Sequence, residues 1–295
     1  MGKRARDVSV RSLKSVPPLY RLAKRIQTMP ERIAARTQTM REQVPVVKRY
    51  NPRSQPLAAI RFVLTNREPT NFTYEIENLD ELTDFLAHAL DRPHESVAKL
   101  VAEIEGDAEL EAALCQKLAK RTDRNRKAPY GRRIGWYVVT RIVKPKLAVE
   151  TGTHDGLGAS VILSALERNA REGAAGRLVS VDIGRNAGWL IPDFLRGSFE
   201  QRFEDSIDAL RSIDDEIDLA VVDSAHAYEH ERTELETIAD RAHAGTIVIS
   251  DNPGSRAFAN FCASRGFRDY EFRERPRRHI YPGAGLALAR FSTSQ

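Results

Sequence analysis

Between an apolar run at 146–150 and a run with helical spacing at 159–167, the chain reads Val149-Glu150-Thr151-Gly152-Thr153-His154-Asp155-Gly156-Leu157-Gly158-Ala159-Ser160. Gly152 permits a tight turn and lets the backbone come close to a ligand, while Gly156 and Gly158 keep the start of the helix free of side chains. The amide groups at a helix start are positive, so they suit the carboxylate end of a bound molecule. The stretch therefore predicts a strand, a glycine-rich binding turn and a helix.

Strands and helices alternate from this turn to the C-terminus. The apolar and amphipathic runs predict strands at 177–181, 199–203, 217–222 and 246–250, with helices at 207–213, 228–242 and 256–264. Such alternation is typical of a mostly parallel sheet with helices on both faces. The last two strands, 267–272 and 285–291, have no helix between them, which predicts an antiparallel hairpin at one edge. Residues 129–295 are therefore expected to form an α/β domain.

The residues before 129 divide into two parts. Residues 57–128 predict a smaller helical or α+β accessory region, with strands at 58–64 and 71–76, a helix after Asp80, and a helical run at 96–119 that Gly106 breaks. Residues 1–56 form a basic arm, with 14 Lys or Arg against 3 Asp or Glu, a net charge of +11. Three interpretations of the arm stay open: a solvated segment, a segment that docks on the protein's own core or on a second subunit of a homodimer, and a contact with nucleic acid or a membrane.

The composition excludes several classes of protein. No run of eighteen apolar residues is present, so no segment is expected to span a bilayer. No apolar core follows the basic N-terminus as it does in a secretion signal. Cys115 and Cys262 lie far apart, without the spacing of a metal site, so free thiols in a reducing compartment are expected. These observations predict a cytoplasmic protein.

The pattern Glu150-x-Gly152-x-x-x-Gly156 resembles the first motif of class I S-adenosylmethionine-dependent methyltransferases. A dinucleotide-binding enzyme would instead have Gly-x-Gly-x-x-Gly. Asp182 ends the second strand, where a carboxylate can accept both hydroxyl hydrogens of a ribose, and the closing hairpin also separates a methyltransferase sheet from the dinucleotide fold. The resemblance implies a Rossmann-like domain that binds S-adenosylmethionine through these residues: Glu150, Gly152, Thr153, Asp155, Gly156, Ser160, Asp182 and Asp223.

Three polar residues follow the next two strands. Asp223 comes after 219–222, and Asp251 and Asn252 come after 247–250. Because adjacent parallel strands lie about 4.8 Å apart, we expect these side chains to converge beside the cofactor. Carboxylate and amide oxygens suit Mg²⁺. The set resembles the metal site of catechol-type and macrolide-sugar-type O-methyltransferases, which implies that Asp223, Asp251 and Asn252 are metal ligands.

The residues that follow Asp223 also resemble the macrolide-sugar group. They read Asp-Ser-Ala-His-Ala-Tyr-Glu over 223–229, which implies His226 as the general base, whereas catechol enzymes carry lysine at that place. A metal-bound hydroxyl has a lowered pKa, and a histidine can take its proton near neutral pH. The sequence thus predicts methylation of a small-molecule hydroxyl on a sugar, polyketide or phenol. Two alternatives stay open: a metal-independent enzyme that methylates nitrogen or a carboxylate, and a non-enzymatic binding module.

Overall fold

The computed structural model describes Ile60 and residues 73–121, 126–251, 253–277 and 283–291. All of them except Ile60 belong to one unit, Pro69–Gln295. The basic arm at 1–56, the predicted strand at 58–64 and the predicted metal ligand Asn252 lie outside the described residues, and the domain boundaries at 56 and 128 stay a prediction. Within the described ranges, no helix has the length and apolar character needed to cross a membrane.

A seven-stranded sheet lies at the centre of the described chain. Its strands are β1 Leu147–Thr151, β2 Arg177–Val181, β3 Phe199–Arg202, β4 Ile217–Val222, β5 Ala242–Ser250, β6 Asp269–Phe272 and β7 Leu286–Arg290. They lie in the order β3-β2-β1-β4-β5-β7-β6. Strands β1 to β5 are parallel, and β7 runs antiparallel between β5 and β6. The predicted parallel sheet with an antiparallel C-terminal hairpin is confirmed.

The strand order determines where a ligand can bind. From β1 the chain moves outward through β2 and β3, and it then returns to β4 on the other side of β1. In open α/β sheets, ligands bind outside the carboxyl ends of the strands at such a reversal. The turn after β1 and the loop after β4 both lie at this position, so the sheet brings the two predicted groups of site residues to one edge.

Eight α-helices surround the sheet in the described ranges. They are α1 Leu79–Ala89, α2 His94–Glu105, α3 Ala108–Ala119, α4 Ile134–Val143, α5 Leu157–Arg171, α6 Ser206–Arg211, α7 Tyr228–Ala239 and α8 Ala257–Arg265. The break between α2 and α3 falls at Gly106 and Asp107, as predicted, and the Asp107 side chain caps α3 by accepting from the amide of Leu110 at 3.0 Å.

Two hydrophobic cores cover the two faces of the sheet. Successive strand residues point to opposite faces, so Leu219 and Val221 of β4 enter the core that contains α1 to α5. Ala220 and Val222 enter the other core, which contains α6, α7 and α8. The predicted helices and the central strands are buried because each supplies apolar side chains to one of these cores.

Two features differ from the expected pattern. Residues 71–76 were expected to form a strand, but the described part, 73–76, makes a single antiparallel bridge between Ile76 and Pro276. Helix α4 is a second difference, because no element was expected between residue 119 and β1. It contacts α1, α2, α5 and β4, and all residues from Ile134 to Arg141 are buried. Such a helix lacks the polar face by which amphipathic helices are recognised.

Candidate active site

The glycine turn after β1 is held against the end of β4. Gly152 has a φ of +92°, which favours glycine, and its amide donates to the carbonyl of Val181 at 2.8 Å. A Cβ at this position would lie 2.0 Å from the carbonyl oxygen of Asp223. The close approach that requires glycine is therefore to the protein's own backbone, not to a ligand as expected. Gly152 joins the first turn to the loop that carries Asp223.

The start of α5 is covered by side chains, contrary to expectation. A Cβ on Gly158 would lie 2.2 Å from the Trp136 ring and 2.5 Å from Glu150 Oε1, and a Cβ on Gly156 would lie 2.7 Å from Ile191. These glycines allow α4 and the loop before β3 to pack on the turn. Sequence alone does not distinguish a glycine that admits a ligand from one that admits a neighbouring side chain.

Two cavities meet at this turn. A small cavity of about 20 Å³ is lined by residues of the turn together with Arg133, Trp136, Glu150 and Asp223. A larger one of about 750 Å³ is lined by Asp182, Arg185 and Trp189. His154 and Asp155 line both, so the two cavities adjoin at these residues.

The predicted cofactor acids lie in different surroundings. Asp182 accepts from the amides of His154 and Gly184, both at 2.7 Å. Asp155 accepts from the indole of Trp189 at 2.7 Å. Glu150 is buried and accepts from the hydroxyl of Ser180. Burial raises the pKa of Glu150 to about 8.

Two predicted cofactor residues have their hydroxyl groups engaged elsewhere. Thr153 Oγ1 lies 2.6 Å from Ser180 Oγ and accepts from the side-chain amide of Gln201 at 2.9 Å. Ser160 is fully buried and donates to the carbonyl of Gly156 at 2.6 Å, within its own helix. Thr153 thus ties the glycine turn to β2 and β3, and Ser160 stabilises the first turn of α5.

The two predicted strand-end acids are adjacent, as expected. The amide of Asp223 donates to the carbonyl of Thr151 at 2.9 Å, and that of Asp251 donates to the carbonyl of Val222 at 3.0 Å. Burial and the neighbouring Asp251 carboxylate raise the pKa of Asp223. The cross-strand spacing therefore brings the two carboxylates together even though 27 residues lie between Asp223 and Asp251 in the sequence.

The described residues do not fit the predicted Mg²⁺ site. Arg132 donates from Nε to Asp251 Oδ1 at 2.7 Å and from Nη2 to Asp251 Oδ2, so both oxygens of this carboxylate pair with a guanidinium. In the parts of the chain that the structure describes, no group of three or more His, Cys, Asp or Glu side chains is placed to hold a metal ion. The predicted ligand Asn252 is outside those parts.

His226, the predicted base, lies beside Asp223. Its Nε2 is 3.6 Å from Asp223 Oδ1, and about half of the imidazole is exposed. Its φ of +51° turns the backbone sharply before α7. Burial lowers the pKa of His226 below its usual value of 6.5. The imidazole is therefore mostly neutral at pH 7, the state in which a ring nitrogen can accept a proton.

Comparison with known proteins identifies the fold that carries this site. Residues 149–252, from β1 to the end of β5, match the family model for a methyltransferase domain. The chain contains a methyltransferase domain. The match begins and ends at the two groups of predicted site residues, and the resemblance to class I methyltransferases is confirmed. No curated protein sequence is a significant match to the chain.

Solved structures share this fold at low sequence identity. The cofactor-bound structure of Rv0187 from MTB has a TM-score of 0.50 and 16% identity, and the similarity covers 65% of this chain and 94% of that one. A structure described as a putative O-methyltransferase from Klebsiella pneumoniae has a TM-score of 0.49 and 16% identity, with 64% and 91% covered. The likeness to Rv0187 is one of fold, and it extends well beyond residues 149–252.

The structure brings three further residues close to the two strand-end acids that the sequence did not reveal. Arg132 lies just before α4, and it donates to Asp251, which is 119 positions later in the sequence. Glu231 and Glu234 are buried on α7, where they accept from Ser250 and Ser224, the residues next to Asp251 and Asp223. No local pattern marks these residues, because surface helices also carry Arg and Glu. Their function depends on contacts that only the fold creates.

Proposed function

We propose that this methyltransferase domain uses S-adenosylmethionine to methylate a hydroxyl oxygen of a small molecule, with His226 as the general base. The supporting observation is the position of His226. Its Nε2 lies 3.6 Å from Asp223 Oδ1, and Asp223 itself contacts the glycine turn through its backbone. A proton acceptor thus lies beside Asp223, a residue that lines the small cavity.

The residues around the two cavities suit the groups of this cofactor. Asp182 would hold ribose hydroxyl groups, and Glu150 and Asp155 would lie toward the positively charged amino-acid end. When bound, the cofactor supplies a methyl group on a positively charged sulfur. Trp136 lines the small cavity, and its indole nitrogen is buried without a hydrogen-bond partner among the described residues.

His226 and Asp223 have different roles in the reaction of the acceptor. His226 takes the hydroxyl proton at a ring nitrogen, which leaves the acceptor oxygen as the nucleophile. Asp223 Oδ1, 3.6 Å from Nε2, is close enough to orient the imidazole. Burial keeps His226 neutral before the reaction. The cleft contributes by holding the acceptor oxygen close to the reacting carbon, a large part of the rate gain in such transfers.

The proposal is tested by His226→Ala with His243→Ala as a matched control. His243 also pairs with an aspartate, Asp218, at 3.0 Å, but it lies at the start of β5, at the opposite edge of the sheet. We expect kcat to fall by about 10²-fold or more in His226→Ala, with unchanged affinity for S-adenosylhomocysteine by calorimetry, and no change in His243→Ala. Full turnover in His226→Ala would show that His226 is not the general base. Failure of the wild type to bind the cofactor would contradict the proposed methyl transfer.

The pH dependence should follow from the lowered pKa of His226. Protonation removes the base, so kcat/KM is expected to decline as the pH falls, with a midpoint below 6.5. Above this midpoint the imidazole is neutral, and the rate is expected to be level until other groups titrate. A midpoint clearly above 6.5 would show that another group is titrated.

A further inference from the structure

A buried arginine occupies the position expected for a metal ion. The Arg132 side chain is only 4% exposed. Besides its two bonds to Asp251, Arg132 donates from Nη1 to the hydroxyl of Tyr74 at 2.7 Å and to Glu274 Oε1 at 3.0 Å. The Tyr74 hydroxyl in turn donates to Glu274 at 2.5 Å. One guanidinium thus links the loops after β5 and β6 with the segment before α1.

We propose that the guanidinium of Arg132 takes the place of a divalent cation in this site, and that the acceptor is therefore an acidic hydroxyl of the phenol class. The first part depends only on the contacts of Arg132. The second part also rests on the proposed O-methyl transfer.

The contacts of Arg132 leave little for a second cation to bind. Both oxygens of Asp251 accept from Arg132 in a bidentate pair, the geometry in which arginine binds carboxylates most strongly. A divalent ion would have to displace this bond or lie against a guanidinium, which stays positive at any ordinary pH. Arg132 also pairs with Glu274, so its single positive charge is shared by two carboxylates. The site therefore contains its own cation.

A guanidinium in this position does not perform the chemistry of a metal. Four of its five N–H groups already donate to Asp251, Tyr74 and Glu274, so at most one is left for an acceptor oxygen. Arg132 is accordingly a positioning residue: it fixes Asp251, and Asp251 lies against Asp223. Any loss of the acceptor's proton then depends on a side chain alone, without a Lewis acid on the oxygen.

This difference restricts the acceptor. A bound metal lowers the pKa of a coordinated hydroxyl by many units. Without that help, a phenol, with a pKa of about 10, gives its proton to an imidazole far more readily than an alkyl hydroxyl, whose acidity is close to the value of about 15.7 for water. The ionised fraction differs by roughly five orders of magnitude between these classes. Phenolic or comparably acidic hydroxyls fit the site, and sugar hydroxyls do not.

Metal binding by the full-length protein tests the first part directly. Mn²⁺ is titrated into the wild type in the presence of S-adenosylhomocysteine, and free Mn²⁺ is followed by electron paramagnetic resonance. We expect no stoichiometric site in the wild type and one equivalent bound by Arg132→Met, which leaves the carboxylates uncompensated. The double variant Arg132→Met with Asp251→Asn should lose that site. One equivalent bound by the wild type and abolished by Asp251→Asn would overturn the proposal, as would a folded Arg132→Met protein that binds none.

Acceptor selectivity tests the second part. Matched pairs of a phenol and a benzyl alcohol on the same ring are offered to the wild type with EDTA or with Mg²⁺. We expect at least 100-fold faster methylation of the phenols and equal rates under both conditions. Preference for the alcohols, or loss of turnover in EDTA, would overturn the inference. Absence of transfer to every acceptor would count against the proposed function, whereas the Mn²⁺ titration would still decide the role of Arg132.

Discussion

Glu150 shows how a buried acid in the site lowers the stability of the fold at higher pH. It lies at the end of β1, its side chain accepts from Ser180, and burial raises its pKa to about 8. The folded protein therefore favours the protonated acid. In the unfolded chain the carboxyl group of Glu150 has a pKa near 4.5, so it ionises at a lower pH than in the folded protein. Stability from this residue is thus complete below pH 4.5 and is lost as the pH rises toward 8.

Glu150→Gln should remove this dependence. Glutamine has nearly the same shape and carries no charge at any pH, so the variant should gain stability over the wild type as the pH rises. The expected gain is up to about 1.4 kcal/mol per pH unit between 4.5 and 8, with no further change above 8. Urea unfolding of the cofactor-free protein at pH 5, 6, 7 and 8 measures it. Glu109→Gln, at an exposed position of α3, is the control, and parallel curves for the wild type and Glu150→Gln would contradict the assignment.

At the scale of one element, α7 supports both loops that carry the strand-end acids. Glu231 and Glu234 lie one turn apart on the buried side of this helix. Glu231 accepts from Ser250 at 2.7 Å and also from Ser255, whereas Glu234 accepts from Ser224 at 2.8 Å. Since these serines flank Asp251 and follow Asp223, the helix determines the positions of both carboxylates.

Glu231→Leu should therefore affect stability and activity together. It leaves the hydroxyl groups of Ser250 and Ser255 without their acceptor, and unsatisfied buried groups cost about 1–3 kcal/mol each. We expect both the free energy of unfolding, measured with denaturant, and the rate of methyl transfer to fall. Glu236→Leu is the matched control, since Glu236 lies on the same helix but pairs with Arg265 at the surface; its cost should stay within about 1 kcal/mol. Equal effects of the two substitutions would refute the supporting role of α7.

The elements differ in how far sequence determines them. The strands from β1 onward were predictable because short apolar runs alternate with amphipathic helices, and the closeness of Asp223 and Asp251 followed from parallel pairing. Helix α4 was not predictable, since Ile134–Val143 is rich in β-branched residues, which favour strands. Arg132 was missed for a different reason: its partner Asp251 is distant in sequence, and a bidentate ion pair leaves no periodic signal.

At the scale of the whole unit, the helices before β1 share one core with the sheet. Leu86 of α1 and Trp136 of α4 belong to the same buried cluster as β4. Arg141 of α4 adds polar links, donating to Glu103 of α2 at 2.8 Å and to Glu172 after α5 at 2.6 Å. These contacts indicate that α1 to α3 and the methyltransferase sheet unfold together, even though the sequence suggests a separate accessory region.

Two core substitutions test this cooperativity. Leu86 lies on one face of the sheet and Leu235 on the other, and both are fully buried. Leu86→Ala and Leu235→Ala should each cost about 2–5 kcal/mol and lower the midpoint of one shared transition. Far-UV circular dichroism and the fluorescence of Trp136 and Trp189 should change at the same denaturant concentration in both variants. An early loss of helix in Leu86→Ala, before any change in fluorescence, would show instead that α1 to α3 form an independent unit.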